Sequence, residues 1–354
     1  MVKNSNIKVI SKKSGGILLE KEGQKVILLK GSPYEMGYQH GALLKDDVIK
    51  ITNILYEGAQ DAKPGVLYGI WEQVKRFIPE RYMEELKGLA DGAGLSLEKV
   101  QLANVFPELF HCSGIALFGE ASATGELLHG RILDYTVDAG FQDYSVVMLS
   151  KPNGYNCFLN ASFAGIIGSV TGINEQQIAV GEMGGGGEGN WTGVPMTFLM
   201  RMALEEASEL EEAVSIFRDN KRTCEYYYVI SDGKIPDARA MKCTPGEMVV
   251  LKPGESHLLL PVEPLKNVVM ISKDERFVAL REAVHNNYGK VDKDLLIEIM
   301  KRPVSMKSNL HNAIFLPQKL KMWLAVAKSP DVENFQACYQ TYYEYDMNEL
   351  MAYF

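Results

Sequence analysis

The chain has 354 residues, 46% hydrophobic and 23% charged, which is enough apolar material for a large core held together without metals or disulfides. Asp and Glu (45) outnumber Lys and Arg (37) and no basic cluster interrupts this balance, so nucleic acid is not an expected partner. No apolar run approaches the ~18 residues of a membrane span, and the polar N-terminal residues lack a secretory apolar region, so we expect a cytoplasmic protein.

Five cysteines are widely spaced and none forms a Cys-x-x-Cys pair. This pattern argues against a zinc ribbon and against a disulfide framework. We therefore expect no metal and no cofactor.

The first 111 residues are predicted to be mostly helical after a strand-rich start. Residues 7–30 alternate apolar and polar side chains, which predicts two or three short strands. Helical spacing follows after Pro33, again after Pro79 and again after Ser96. Gly37 and Gly41 lie four residues apart on one helix face, which predicts close approach of another backbone.

From Cys112 onward the periodicity becomes that of strands. No helix-length segment separates the first six runs, so an antiparallel sheet is expected. These runs are residues 113–118, 126–134, 144–150, 156–163, 166–173 and 177–183.

The rest of the chain alternates between helices and strands. A helix follows Pro195, and Ser208 with Glu211 reads as a capping box for the next one. Strands are expected at 225–231, 238–243, 247–251 and 257–260. A helix capped by Ser272 and Glu275, two more strands and a surface tail whose aromatic residues cover the core complete the chain. This order predicts an α+β fold, a four-layer αββα sandwich of two stacked antiparallel sheets between helices.

Chemistry is concentrated around Cys112. If residues 112–118 and 126–134 form a hairpin, symmetric pairing places Cys112 opposite Ile132, with Arg131 and Asp134 close by. A guanidinium beside a thiol lowers the thiol pKa. Arg131 and Asp134 are three residues apart, so both reach Cys112 only if the strand twists, bulges or ends there.

Two alternatives stay open from the residues alone. A lone cysteine is usually an inert, buried, small hydrophobic residue, which would suit a catalytically weakened binding protein. His129 is the histidine nearest to Cys112 in the expected hairpin, and it could serve as the base of an unprocessed cysteine hydrolase.

The string CSGIA…GELLHGRILDY resembles the nucleophile region of the penicillin acyltransferase-like amidases, which are related to the choloylglycine hydrolases within the N-terminal nucleophile hydrolases. Upstream, GSPYEMGYQHG resembles the acyltransferase-type family. Downstream, GINEQQIAV resembles the same family, and SKDERFVALREAV resembles a helix of the choloylglycine hydrolase branch.

The resemblance implies a stacked antiparallel sandwich and hydrolysis or acyl transfer at a linear amide. It also implies self-cleavage between His111 and Cys112. Residues 1–111 would then form an N-terminal segment, residues 112–354 the catalytic core, and the two together one globular unit. By match, the catalytic set is Cys112 as nucleophile, Arg131 and Asp134 of the GRxLD element, Asn174 at the oxyanion hole, and Arg276.

One departure from the family concerns the substrate side. A second oxyanion-binding asparagine is missing from CEYYYVISDG, where Tyr226 and Tyr227 are the best-placed residues. With Trp191, beside the Gly184–Gly187 loop, they are the expected substrate-binding residues. The expected substrate is a small N-acyl amide or acyl-peptide, and homo-oligomerisation stays open.

Overall fold

The computed structural model describes residues 7–105, 112–135, 137–185 and 190–354. Strands form where apolar residues alternate or run together. They are β1 (Ile7–Lys13), β2 (Gly16–Lys21), β3 (Gln24–Gly31), β4 (Ser113–Leu117), β5 (Leu128–Asp134), β6 (Ser145–Pro152), β7 (Phe158–Phe163), β8 (Thr171–Asn174), β9 (Ile178–Gly184), β10 (Tyr226–Asp232), β11 (Asp237–Cys243), β12 (Met248–Leu251), β13 (Val268–Ile271), β14 (Asn309–Leu316), β15 (Lys321–Val326) and β16 (Tyr343–Asp346).

The helices follow the segments with helical spacing. They are α1 (Pro33–Leu43), α2 (Lys45–Ala62), α3 (Val66–Val74), α4 (Glu80–Ala93), α5 (Leu97–Ala103), α6 (Met196–Glu206), α7 (Leu210–Asp219), α8 (Glu275–Asn286), α9 (Lys293–Ile299) and α10 (Met347–Met351). Among the described residues, no helix is both long enough and apolar enough to cross a membrane.

Two sheets form within the described residues. The first has the order β1-β2-β3-β6-β7-β8-β9-β10-β11-β12, and the second has the order β13-β4-β5-β14-β15-β16. Neighbouring strands are antiparallel except β3 and β6, which pair in parallel over seven residues. The expectation of purely antiparallel sheets is therefore wrong at this pair. A long connection between β3 and β6, through α1–α5 and the β4–β5 hairpin, makes parallel pairing possible.

Apolar side chains separate the molecule into four layers. Helices α1–α7 pack on the outer face of the first sheet. Side chains such as Leu28, Leu149, Phe315 and Met322 fill the space between the sheets. Helices α8 and α9 cover the outer face of the second sheet. The predicted αββα sandwich is confirmed.

Helices α1 and α4 approach each other through facing glycines. A Cβ atom built on Gly37 would lie 2.0 Å from the carbonyl oxygen of Glu85, and one on Gly88 would lie 2.1 Å from that of Tyr34. Gly41 and Gly92 continue the same contact one turn further along. The close backbone approach expected at Gly37 and Gly41 is confirmed.

Three local expectations are wrong. Residues 257–260 form no strand, and β13 begins at Val268 instead. The capping box of α7 is Glu209 with Glu212, one residue later than expected, and α8 has no side-chain cap. By contrast, the aromatic residues of the tail cover the core as expected, since the tail supplies β16, in which Tyr345 is fully buried.

Candidate active site

The start of β4 places Cys112 beside β5. Gly114 pairs with Arg131, and Ser113 pairs with Ile132. Cys112 is therefore shifted by one residue from the expected position opposite Ile132. Side chains two residues apart share one face of a strand, so Cys112, Gly114 and Arg131 face the same side, between the sheets.

Cys112 lines a cavity of about 310 Å³. The thiol-bearing residue is only 3% exposed. One wall is apolar and includes Leu251, Leu258–Leu260, Ile271 and Phe277. Polar residues of the lining include Tyr227, Lys242 and Arg276. This arrangement offers room for a small amphipathic molecule at the thiol.

Arg131 approaches Cys112 from between the sheets. Its guanidinium donates to the carbonyl oxygens of Ile132 and Val170, and one nitrogen lies 3.4 Å from Oε2 of Glu182. Arg131 and Glu182 are both fully buried. Burial raises the pKa of the Glu182 carboxyl to about 7, against the opposing attraction of Arg131.

Asp134 approaches from the end of β5, where the pairing with β14 shifts by one residue between Asn309 and His311. Its carboxylate accepts from Arg276, from the Met306 N–H at 3.0 Å and from Asn309 Nδ2 at 3.1 Å. Arg276 also donates to the Cys112 carbonyl oxygen at 3.3 Å. Because β5 ends at Asp134, Arg131 and Asp134 both act on the Cys112 thiol although their side chains point to opposite faces of the strand.

The thiol is less acidic than expected. Burial raises the pKa of Cys112 to about 11, and the Glu182 and Asp134 charges add to this effect. The Arg131 charge and the Asp134 backbone N–H lower the pKa without overcoming burial. The expectation of a lowered thiol pKa is wrong in the uncleaved chain, so the thiol needs a base before it can attack.

Asn174 lies elsewhere, at the turn between β8 and β9. Its amide donates to the carbonyl oxygens of Leu204 and Ala207 at 2.9 and 2.8 Å. Its oxygen accepts from the backbone N–H groups of Gln176 and Ile178. The amide is fully used, and Asn174 is not among the described residues that line the Cys112 cavity. The geometry does not support an oxyanion role for it.

The three expected substrate-binding residues do not lie at one site. Tyr227 lines the Cys112 cavity, and its hydroxyl donates to Glu225 at 3.3 Å. Tyr226 points to the other face of the first sheet, because neighbouring strand residues alternate. There Tyr226 and Trp191 line a different small cavity, against α3 and α6.

His129 does not have the position of a catalytic base. It is fully buried, its Nδ1 lies 2.8 Å from the Ser231 hydroxyl, and it is not among the described residues that line the cavity. No described residue of that lining is a histidine. His111 and residues 186–189 of the glycine loop lie outside the described residues.

Sequence reasoning missed two residues at this site, Glu182 and Asn309. Glu182 lies in β9, and its charge acts on both Arg131 and Cys112. Asn309 donates to Asp134 and accepts from the Cys338 backbone N–H. Polar residues within otherwise apolar strands were the available signal, since such groups are buried only with partners. Within the described residues, no group of three or more His, Cys, Asp and Glu side chains is placed to hold a metal ion.

Comparison with known proteins supports the same family. Residues 128–240, which contain Arg131, Asp134 and Glu182, match the family model described as acyl-coenzyme A:6-aminopenicillanic acid acyl-transferase. The predicted resemblance is confirmed over this segment. The matched segment begins at β5 and ends within β11, so it includes Met183 and Tyr227 of the cavity lining but neither Lys242 nor Leu251.

Individual relatives are distant. Protein dcd1B of Dictyostelium discoideum is 24% identical over 342 residues, which cover 85% of this chain and 68% of that protein. Acid ceramidase of Rattus norvegicus is 30% identical over 183 residues, covering 43% of this chain and 45% of that enzyme. Among solved structures, a Caenorhabditis elegans N-acylethanolamine-hydrolyzing acid amidase ortholog aligns with 16% identity and a TM-score of 0.48 over 66% of this chain and 99% of that one.

Proposed function

We propose that this chain is a cysteine amidohydrolase or acyltransferase that acts on linear amides, with Cys112 as a nucleophile freed by cleavage of the His111–Cys112 bond. One observation carries the proposal. Cys112 and Arg276 line one cavity, the charges of Arg131 and Asp134 act on the Cys112 thiol, and no described residue of the cavity lining is a histidine.

Because the described lining of the cavity holds no histidine to act as base, the proposal requires Cys112 to be an N-terminal residue. A buried thiol with a pKa of about 11 stays protonated at neutral pH. A free α-amine has a pKa near ~7.7–8.0, so it accepts the thiol proton at neutral pH. Cleavage before Cys112 would place that amine on the same residue as the sulfur.

Self-cleavage would proceed as an acyl shift. The Cys112 sulfur attacks the carbonyl carbon of residue 111, the C–N bond breaks, and the α-amine leaves with a proton. The resulting thioester is hydrolysed by water, which gives a carboxylate on residue 111 and restores the thiol. Glu182, whose pKa is raised to about 7 and whose charge acts on the thiol, would accept the thiol proton in the uncleaved chain.

The reaction with substrate would use the same steps. The α-amine takes the thiol proton, the sulfur attacks the substrate carbonyl, and the leaving amine receives the proton. Water then releases the acid, or a second amine takes the acyl group. We propose an N-acyl amide or acyl-peptide substrate, because the cavity is lined by both apolar and polar residues. A cytoplasmic location and homo-oligomerisation remain predictions from the sequence.

Intact-mass measurement of the purified chain tests the cleavage. We expect two fragments, one ending at His111 and one beginning at Cys112, and a single full-length species for Cys112→Ala. The same variant should lose at least about a thousandfold in turnover of N-acyl amides. Cys157→Ser, at a buried cysteine that directly precedes β7, is the matched control and should cleave and turn over normally.

Two results would contradict the proposal. A full-length wild type that hydrolyses amides would indicate an unprocessed cysteine hydrolase. A full-length wild type without turnover, in which Cys112 reacts no faster than the other buried cysteines, would indicate a binding protein of the same fold.

A further inference from the structure

Two buried histidines flank Arg131 between the sheets. His129 precedes Arg131 by two residues on β5 and therefore lies on the same face. His311, on β14, pairs with Leu133, while Arg131 pairs with the neighbouring Ala313. Both imidazoles are fully buried. The guanidinium thus has one imidazole beside it along its own strand and a second one diagonally across the β5–β14 pair.

A hydroxyl from the opposite sheet holds each imidazole at one nitrogen. His129 Nδ1 lies 2.8 Å from Ser231 Oγ, and His311 Nε2 lies 3.0 Å from Thr171 Oγ1. The second nitrogens, His129 Nε2 and His311 Nδ1, have no hydrogen-bond partner among the described residues. Buried polar atoms without partners are uncommon, so these two nitrogens require an explanation.

A glycine leaves space between the sheets for Arg131 and His129. Gly181 on β9 faces Arg131 and His129, and a Cβ atom at Gly181 would lie 2.9 Å from Arg131 Cγ and 3.2 Å from His129 Nε2. The absence of a side chain at Gly181 therefore lets the Arg131 stem and the imidazole occupy the same small volume. The one carboxylate paired with Arg131 within the described residues is Glu182, at the long distance of 3.4 Å.

A buried cation needs either counter-charges or dipoles around it. A second carboxylate would stabilise Arg131, but its negative charge would also raise the pKa of the Cys112 thiol, as the Glu182 charge does. A neutral imidazole offers a lone pair without a negative charge. Burial and the Arg131 charge lower the pKa of His129 to about 3 and that of His311 well below its usual value, so both rings stay neutral.

We propose that His129 and His311 are positioning residues that turn the lone pairs of Nε2 and Nδ1 toward Arg131, and so hold its guanidinium beside Cys112 rather than closer to Glu182. In this arrangement His129 Nδ1–H donates to Ser231 and His311 Nε2–H donates to Thr171. Ser231, Thr171 and Gly181 complete the cradle from the first sheet. The inference deepens the proposed function, since it rests on Cys112 as the nucleophile.

Alkylation of Cys112 by iodoacetamide across pH, with the labelled residue identified by peptide mass, tests the inference without any substrate. In His129→Leu and in His311→Leu, Arg131 loses a lone pair and shifts toward Glu182. We expect the apparent pKa of the Cys112 thiol to rise by about one unit and labelling at neutral pH to slow about tenfold. His129→Gln offers an amide oxygen as acceptor and should return most of the wild-type rate.

His40 supplies the matched control. It is a third buried imidazole, but its Nε2 accepts from the Gly165 N–H at 2.9 Å, and the cation that acts on it is Arg201. His40→Leu should reduce thermal stability and leave the thiol titration unchanged. If His129→Leu and His311→Leu behave like His40→Leu, with lower stability and a wild-type thiol titration, the inference is overturned.

A second pair of variants covers the case in which the leucine variants do not fold. Ser231→Ala and Thr171→Val remove the hydroxyls and release the rings, so a smaller rise in thiol pKa is expected, and an unchanged titration would again overturn the inference. If these variants shift the Cys112 thiol titration while the wild type turns over no amide, the proposed function is refuted. The positioning of Arg131 beside the Cys112 thiol would still stand.

Discussion

The charges around Cys112 have opposing effects on the pKa of its thiol. The Arg131 guanidinium lowers the thiol pKa, whereas burial and the carboxylates of Glu182 and Asp134 raise it. In the uncleaved chain the balance favours the protonated thiol, which reacts more slowly than a thiolate. The reactivity of Cys112 is therefore set by small changes in the charges around it.

Glu182→Gln tests this balance. Because the Glu182 pKa is raised to about 7, its negative charge acts on the thiol only above about pH 7. The variant should thus have a lower thiol pKa and faster labelling of Cys112 above pH 7, and it should match the wild type below that pH. Arg131→Met should have the opposite effect at every pH.

Glu225→Gln is the control for this measurement, because its carboxylate pairs with Lys242 and Tyr227 near the same cavity and is not among the charges that act on Cys112. Equal thiol titrations in wild type and Glu182→Gln would contradict the assignment of Glu182 to the site.

At the scale of elements, the contact between α1 and α4 is fixed by glycine. Backbone atoms of the two helices lie where side chains would otherwise be, so the helices cannot separate or rotate without opening the core of the outer layer. Glu85, which binds Arg201, lies in this contact on α4.

Gly88→Ala should destabilise the fold, because the new methyl group would overlap the Tyr34 carbonyl group. We expect a loss of about 2 to 3 kcal/mol in the free energy of unfolding, measured by urea denaturation. Gly58→Ala, in α2, is the matched control. Nothing lies within 4 Å of its Cβ position, so it should gain about 0.5 to 1 kcal/mol from helix propensity. Equal effects at the two sites would contradict the close contact.

At the scale of the whole molecule, the residues before and after Cys112 are joined by buried charges. Arg201 on α6 binds both carboxylate oxygens of Glu85 on α4, at 2.8 and 2.6 Å, and also pairs with Glu205. All three side chains are nearly inaccessible to solvent. Cleavage of the chain would leave this network intact across the two fragments.

Arg201→Met should weaken the association of the fragments, because it leaves the Glu85 charge buried without its partner. A loss of about 3 to 5 kcal/mol is expected, seen as fragment separation at lower urea concentration in size-exclusion chromatography. Lys266→Met breaks an exposed pair with Glu120 and should change the midpoint little. Retention of the wild-type midpoint by Arg201→Met would show that the network does not join the fragments.

Local patterns predicted much of this molecule. The order of strands and helices led to the four-layer fold, and the expected hairpin placed Arg131 and Asp134 near Cys112, whereas Arg276 came only from the resemblance to a known family. Contacts between segments far apart in the sequence could not be predicted. The parallel β3–β6 pair and the approach of Glu182 to Arg131 join segments far apart in sequence, and no local spacing encodes them. Asn174 shows the opposite error, since a motif match suggested catalysis where the amide caps a turn.

The parallel pairing of β3 with β6 has a consequence for how the protein can be made. Seven consecutive residue pairs connect a strand encoded before Cys112 to one encoded after it. A gene divided at the Cys112 codon would therefore yield two polypeptides, one with β3 and the other with β6 as an unpaired strand. Each polypeptide would supply the strand that pairs with the other. Co-expression from two reading frames, with removal of the initiator methionine ahead of Cys112, would then supply the free amino group on Cys112 without cleavage of the His111–Cys112 bond.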